Sequence, residues 1–209
     1  MRDFLIDRGL IDGVSGANIL PLAENSLYFS IAKFIGPRAS SSEDHVTVPG
    51  VYRVFRPSLT SPGKVLVSSA KFFSHSDGSL HYHEKMHFRS EFGWREQFLD
   101  GYLVGVEGDG FLITRDDNSR LVQMSILKPI NRRTMPDGTS RITMLFGSYS
   151  GASSTRVNGL FSTGIVMVRD RLPKLERYPV RQWKTGLLDP FGLKEKGEIP
   201  KAVLNHLYE

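Results

Sequence analysis

A chain of 209 residues is long enough for one domain with a sizeable core, and its 40% hydrophobic and 23% charged content is that of an ordinary globular protein. The net charge of +5 mildly favours anionic partners, but no Lys/Arg block concentrates it, which argues against a dedicated nucleic-acid binder. The lack of cysteine excludes a disulfide framework, a thiolate metal site and a Cys nucleophile, and with no basic n-region at Met1–Arg8 and no apolar run near about 18 residues, a cytoplasmic protein without a membrane span is expected.

In chain order, residues 1–44 read as an N-terminal helical and irregular segment. A short helix is expected over Leu22–Phe34, stopped by Gly36-Pro37, and then a polar loop over Arg38–Asp44. Residues 45–172 form the main domain. Strands are expected near Gly50–Arg56, Lys64–Phe73, Ser79–Phe88, Gln97–Glu107, Gly110–Arg115, Arg120–Leu127, Arg141–Tyr149 and Leu160–Arg169. Turn chemistry separates them at Ser61-Pro62-Gly63, Ser76-Asp77-Gly78, Gly108-Asp109-Gly110, Asp116-Asp117-Asn118 and Pro136-Asp137-Gly138. With no crossover helices, these make a mainly β fold, an antiparallel up-and-down meander of about eight strands. Closure removes exposed edges, so the meander is expected as a barrel or strongly curved sheet similar to the calycins. Such a barrel is wide enough for one small ligand. Ser68, Ala70, Gly105, Gly147 and Gly164 interrupt apolar strands, either as bends or as openings in the lining.

Residues 173–209 are a basic tail punctuated by proline and glycine. It is expected to end in a helix over Ile199–Tyr208 and to attach to the barrel through Trp183, Leu187, Leu188 and Phe191.

The most informative stretch is Gly78–Phe88. Extended chain places Leu80, Tyr82, Met86 and Phe88 on one face with Glu84, and His81, His83, Lys85 and His87 on the other. A carboxylate on an apolar face must find a donor, which marks Glu84 as a polar hook. His81-Tyr82-His83 has a metal-ligand spacing, with His87 as a third candidate for a divalent transition metal. This His-x-His spacing resembles the first metal motif of the cupin family. His87 stands where that motif has a carboxylate, and between His87 and His206 there is no further histidine for a second motif. The resemblance implies a metal-dependent enzyme; the competing expectation is a solvent-facing strand and no cofactor.

Gly147–Arg156 gathers hydroxyls, glycines and an arginine that could cradle an anion, with Arg156 at a barrel mouth. Neither a Walker ending nor a Gly-x-Ser-x-Gly elbow is present. Arg53, Arg56, Arg132, Arg133, Arg141, Arg156, Arg169 and Arg171 are interleaved with Tyr52, Tyr102 and Tyr149, a pattern open to an anionic small molecule or to an Arg-rich rim that meets a protein or nucleic acid. The leading expectation is a non-catalytic, regulatory ligand-binding or sensor barrel for a small anionic or amphipathic molecule. Glu84, Tyr102, Gln123 and Tyr149 are its expected polar contacts, with Arg156 nearby.

Overall fold

Short turns between β-branched and aromatic runs favour pairing of each strand with its sequence neighbour. The result is β1 (Gly50–Pro57), β2 (Lys64–Ser74), β3 (Leu80–Ser90), β4 (Gly93–Val106), β5 (Asp109–Asp116), β6 (Val122–Thr134), β7 (Ser140–Ala152) and β8 (Leu160–Arg169). Every pair is antiparallel, and β1 bonds both β2 and β8, so the eight strands close into an up-and-down barrel. This computed structural model describes residues 47–75, 79–90, 93–106, 109–119, 121–136, 138–152, 159–184 and 192–208. The expected helix over Leu22–Phe34, the loop over Arg38–Asp44, and Arg156, Leu187, Leu188 and Phe191 lie outside the described residues.

Alternation sets the interior. Tyr52, Val54, Phe72, Leu80, Tyr82, Leu99, Leu103, Leu112, Leu127, Ile165 and Met167 fill it from seven strands. Each such side chain contributes roughly 2 kcal/mol by leaving water. Close strand approach accounts for Gly147, where a Cβ would stand 1.7 Å from the Ile126 carbonyl oxygen. β6 runs further than its apolar stretch because a bulge between Pro129 and Arg132 lets pairing with β7 continue past a proline that cannot donate.

The C-terminal stretch covers the outside of β1, β2 and β8. Helix α1 (Pro173–Glu176) and a 3-10 turn (Val180–Gln182) bring Leu175, Val180 and Trp183 onto Val51. Helix α2 (Lys201–Tyr208) brings Val203 and Leu207, with Ile199 before it, onto Phe55, Val65, Val67 and Val166. Gly164 permits this approach, since a Cβ there would come within 2.6 Å of the Leu207 carbonyl oxygen. Between these pieces the tail is not irregular throughout: β9 (Gly192–Glu195) adds to the edge segment Lys64–Val67 of β2. Four residues flanked by turn formers carry too little alternation to announce a strand. No helix among the described residues is long and apolar enough to cross a membrane.

The barrel's two ends differ. At one, Arg169 donates from Nε to the Ile142 carbonyl at 2.6 Å and from Nη1 to the Pro49 carbonyl at 2.6 Å. Its Nη2 reaches the carbonyls of Thr47 and Val48 and the Tyr52 hydroxyl at 2.7–2.9 Å. The guanidinium lies over the Tyr52 ring and ties the chain before β1 across the opening. The other end holds a cavity.

Candidate ligand-binding site

Period-2 alternation in β1 carries Arg56 inward after Tyr52 and Val54. In β3 it carries Glu84 inward between Tyr82 and Met86, and across the ladder Ala70 stands opposite Glu84 with Ser68 two residues on. Arg56 Nη2 and Ser68 Oγ both donate to Glu84 Oε1, while the Tyr82 hydroxyl donates to Oε2 at 2.6 Å. Glu84 and Arg56 are 1% and 3% exposed, so this is a fully interior ion pair. Burial alone is costly for two charges; three donors on one carboxylate are what make the pair tolerable.

A second polar layer adjoins the first. The Arg56 guanidinium lies 4.6 Å above the Tyr149 ring, and the Tyr149 hydroxyl donates to Gln123 Oε1 at 2.7 Å. Burial works against the Arg56 charge, but Glu84, Tyr149 and Tyr82 outweigh it and hold the guanidinium firmly protonated. Burial likewise pushes the Tyr82 hydroxyl well above its ordinary 10.0, with the Glu84 charge adding to the effect, and raises Tyr149 too. Both phenols therefore stay donors across the physiological range.

Above this layer a cavity of roughly 160 Å³ opens between the ends of the eight barrel strands. Arg56, Gln97, Asp116, Gln123 and Tyr149, with Ser58 and Thr60 from the β1–β2 turn, give it polar groups; Leu66, Met86, Phe88, Leu121, Phe161 and Leu193 are among its apolar ones. Asp116 accepts from Gln97 Nε2 at 2.5 Å, Ser119 Oγ at 2.6 Å and the Asn118 amide at 2.9 Å, so it shapes the β5–β6 turn while facing the barrel. Leu193 comes from β9, which makes the C-terminal stretch part of the wall.

Of the residues picked from sequence, Glu84, Gln123 and Tyr149 are thus brought together. Glu84 is not on the cavity wall; it stands behind Arg56 and anchors it. Tyr102 is not in this group. It pairs with His81 across β3 and β4 and lies on the outer face, its ring 4.7 Å from that imidazole, because Gly101 takes the inward position opposite Tyr82. The anion cradle expected over Gly147–Arg156 does not form in its first half: Gly147–Gly151 is strand laddered to both β6 and β8, and Ala152 pairs with β8, so these amides serve the sheet. Arg156 is outside the described residues.

The histidines take the outer face, as the alternation requires once Glu84 faces in. His81 Nε2 is 2.8 Å from Ser79 Oγ with the ring against Phe73, His83 Nδ1 is 3.3 Å from an Asp100 carboxylate oxygen, and His87 stacks on Trp94 at 4.6 Å. Each ring is held by its own neighbours. Among the described residues no three His, Asp or Glu side chains are grouped to hold a metal ion. The Arg-rich rim also breaks up, since Arg56 and Arg169 turn into the barrel and Arg53 pairs with Asp170 at 2.8 Å; Arg132 and Arg133 remain exposed on β6.

The sequence leaves Arg56 open between an anionic-ligand contact and a basic rim, and puts Gln97 at a strand start and Asp116 in a turn. The signal for Arg56 was its even spacing after Tyr52 and Val54, obscured by apolar residues on both faces of β1. No protein family, curated protein or solved structure matches the chain. The site's chemistry rests on its own geometry.

Proposed function

We propose that the barrel is a non-catalytic binding or sensor module that takes a small amphipathic molecule into the cavity at its open end. The observation that carries this reading is the asymmetry of the interior. The end strapped by Arg169 keeps a space of only about 30 Å³, while the other keeps a larger, mostly apolar space floored by Arg56, Gln123 and Tyr149. A barrel built only for stability would fill that space with side chains. Apolar walls with a few convergent polar groups are the usual composition of a small-molecule site. Glu84 acts in this reading as a positioning residue that fixes the Arg56 guanidinium, and Arg56, Gln123 and Tyr149 meet the ligand.

Native mass spectrometry of the gently purified protein tests the proposal. The expected result is a non-covalent organic mass above the denatured mass, lost in Leu66→Trp, whose indole would occupy the cavity. An adduct equally abundant in Leu66→Trp, or none in either protein, would count against the cavity as a binding site.

A further inference from the structure

We propose that residues 22–35, which precede the described residues, pack as an amphipathic helix on the outer face of β4, β5 and β6 and cover the side of the barrel that the C-terminal stretch leaves bare. This cover is independent of the ligand cavity.

The face is defined by alternation and register. The C-terminal helical pieces lie on β1, β3, β7 and β8. Away from them, the outward positions of β6 are Val122, Met124 and Ile126, which are 60%, 48% and 38% exposed. Across the ladder Ile113 stands opposite Met124, and Phe111 stands opposite Ile126. Val104 of β4 stands opposite Phe111 in turn. Single exposed apolar residues are ordinary, but these six run together over three strands. Val104 is fully buried although it points outward, and it belongs neither to the barrel core nor to the two clusters under the C-terminal stretch. This side is therefore more than a solvated strand surface.

The chain supplies a matching apolar surface. Leu27, Ile31, Phe34 and Ile35 fall at i, i+4, i+7 and i+8, the stripe of a helix that must bury one side. Residues 22–35 as a helix span about 21 Å, which exceeds the roughly 13 Å from Val122 to Ile126 along β6.

The place where the described chain starts favours this segment over a second molecule. Thr47 and Val48 are held at the barrel end strapped by Arg169, and Val48 borders Leu103, Gly110 and Leu127 of the same three strands. Residues 36–46 can span about 36 Å, so the segment reaches the face without strain. A tether this short gives a local concentration in roughly the millimolar range, an advantage that a separate copy lacks. Charge follows the same direction. With Ile35 nearest the strapped end, Glu24 falls at the open end, where Arg115 is exposed beside Asp116, and Lys33 falls near Asp109. Such exposed pairs set orientation more than strength.

The chain has no cysteine, so a nitroxide on Ser26→Cys of the full chain attaches at one site, off the apolar stripe. The expected result is broadening of the methyl signals of Ile113, Met124 and Ile126, with Val65, Val67 and Val166 under α2 unaffected. Spin-labelled protein mixed with isotope-enriched unlabelled protein should give no broadening. Ile31→Ser and Ile126→Ser should each lower the thermal midpoint by about 2–4 °C, and together by clearly less than the sum. Broadening that also appears in the mixed sample would assign the face to a second copy and overturn the proposal. Broadening centred on Val67 and Val166, or none, would overturn it too, as would an Ile31→Ser midpoint equal to the parent's or fully additive shifts.

Discussion

Glu84→Ala lowers the unfolding free energy by about 3–5 kcal/mol, because it strands the Arg56 guanidinium inside the barrel without its counter-charge. For a domain whose total stability is about 5–15 kcal/mol, that is a large fraction. The loss belongs to the unpaired charge more than to any net attraction, so removing both partners should be milder than removing one. Glu84→Leu combined with Arg56→Met should recover at least half of the stability lost in Glu84→Ala, the remainder reflecting the Ser68 and Tyr82 hydroxyls left without an acceptor. Urea unfolding of the single and double variants measures this. Strictly additive losses would show that Arg56 and Glu84 do not depend on each other.

Arg169→Leu should cost about 2–4 kcal/mol, and the damage should be local to the closed end. Four backbone carbonyls, those of Thr47, Val48, Pro49 and Ile142, lose a charged donor together, and the Tyr52 hydroxyl loses one as well. Burial lowers the Arg169 pKa from its ordinary value, with Tyr52 opposing, and the described hydrogen bonds of the guanidinium all go to neutral acceptors. Gly50 belongs to the same device: its φ is +152°, and a Cβ there would stand 1.9 Å from Arg169 Nη1. Gly50→Ala should therefore reproduce much of the Arg169→Leu effect, and the two together should cost less than the sum of the single losses, because the backbone strain of alanine at this φ persists while the contact with Arg169 is lost only once. Hydrogen exchange is expected to speed up across Thr47–Tyr52 and the facing residues of β7 in both variants. Uniform acceleration over the whole barrel, or full additivity, would contradict a local latch.

The barrel was legible because its turns are chemically explicit and its strands follow one another. Glu84 was legible for a related reason: a single carboxylate among Leu80, Tyr82, Met86 and Phe88 on one face of β3 has few places to go. Its partner was not. β1 is apolar on both faces, since Val51 and Phe55 meet the C-terminal stretch while Tyr52 and Val54 meet the core, so parity could not be read from hydrophobicity. Tyr102 shows the same limit in β4, where Leu103 and Val104 are both buried and a one-residue choice decides which face is interior. β9 and the wall residue Leu193 depend on a chain that returns to β2 after more than a hundred residues, a pairing that local pattern does not encode.

The most direct test of a binding cavity in this barrel is a methyl NMR titration with benzene, a molecule that an apolar cavity of about this size accommodates. Met86, Leu66, Leu121 and Leu193 line the cavity, whereas Met124, Ile126 and Leu160 are exposed, with Leu160 92% accessible. Saturable shifts confined to the first set are the predicted result. Shifts that follow Met124, Ile126 and Leu160 instead, or that never saturate at any methyl, would contradict it.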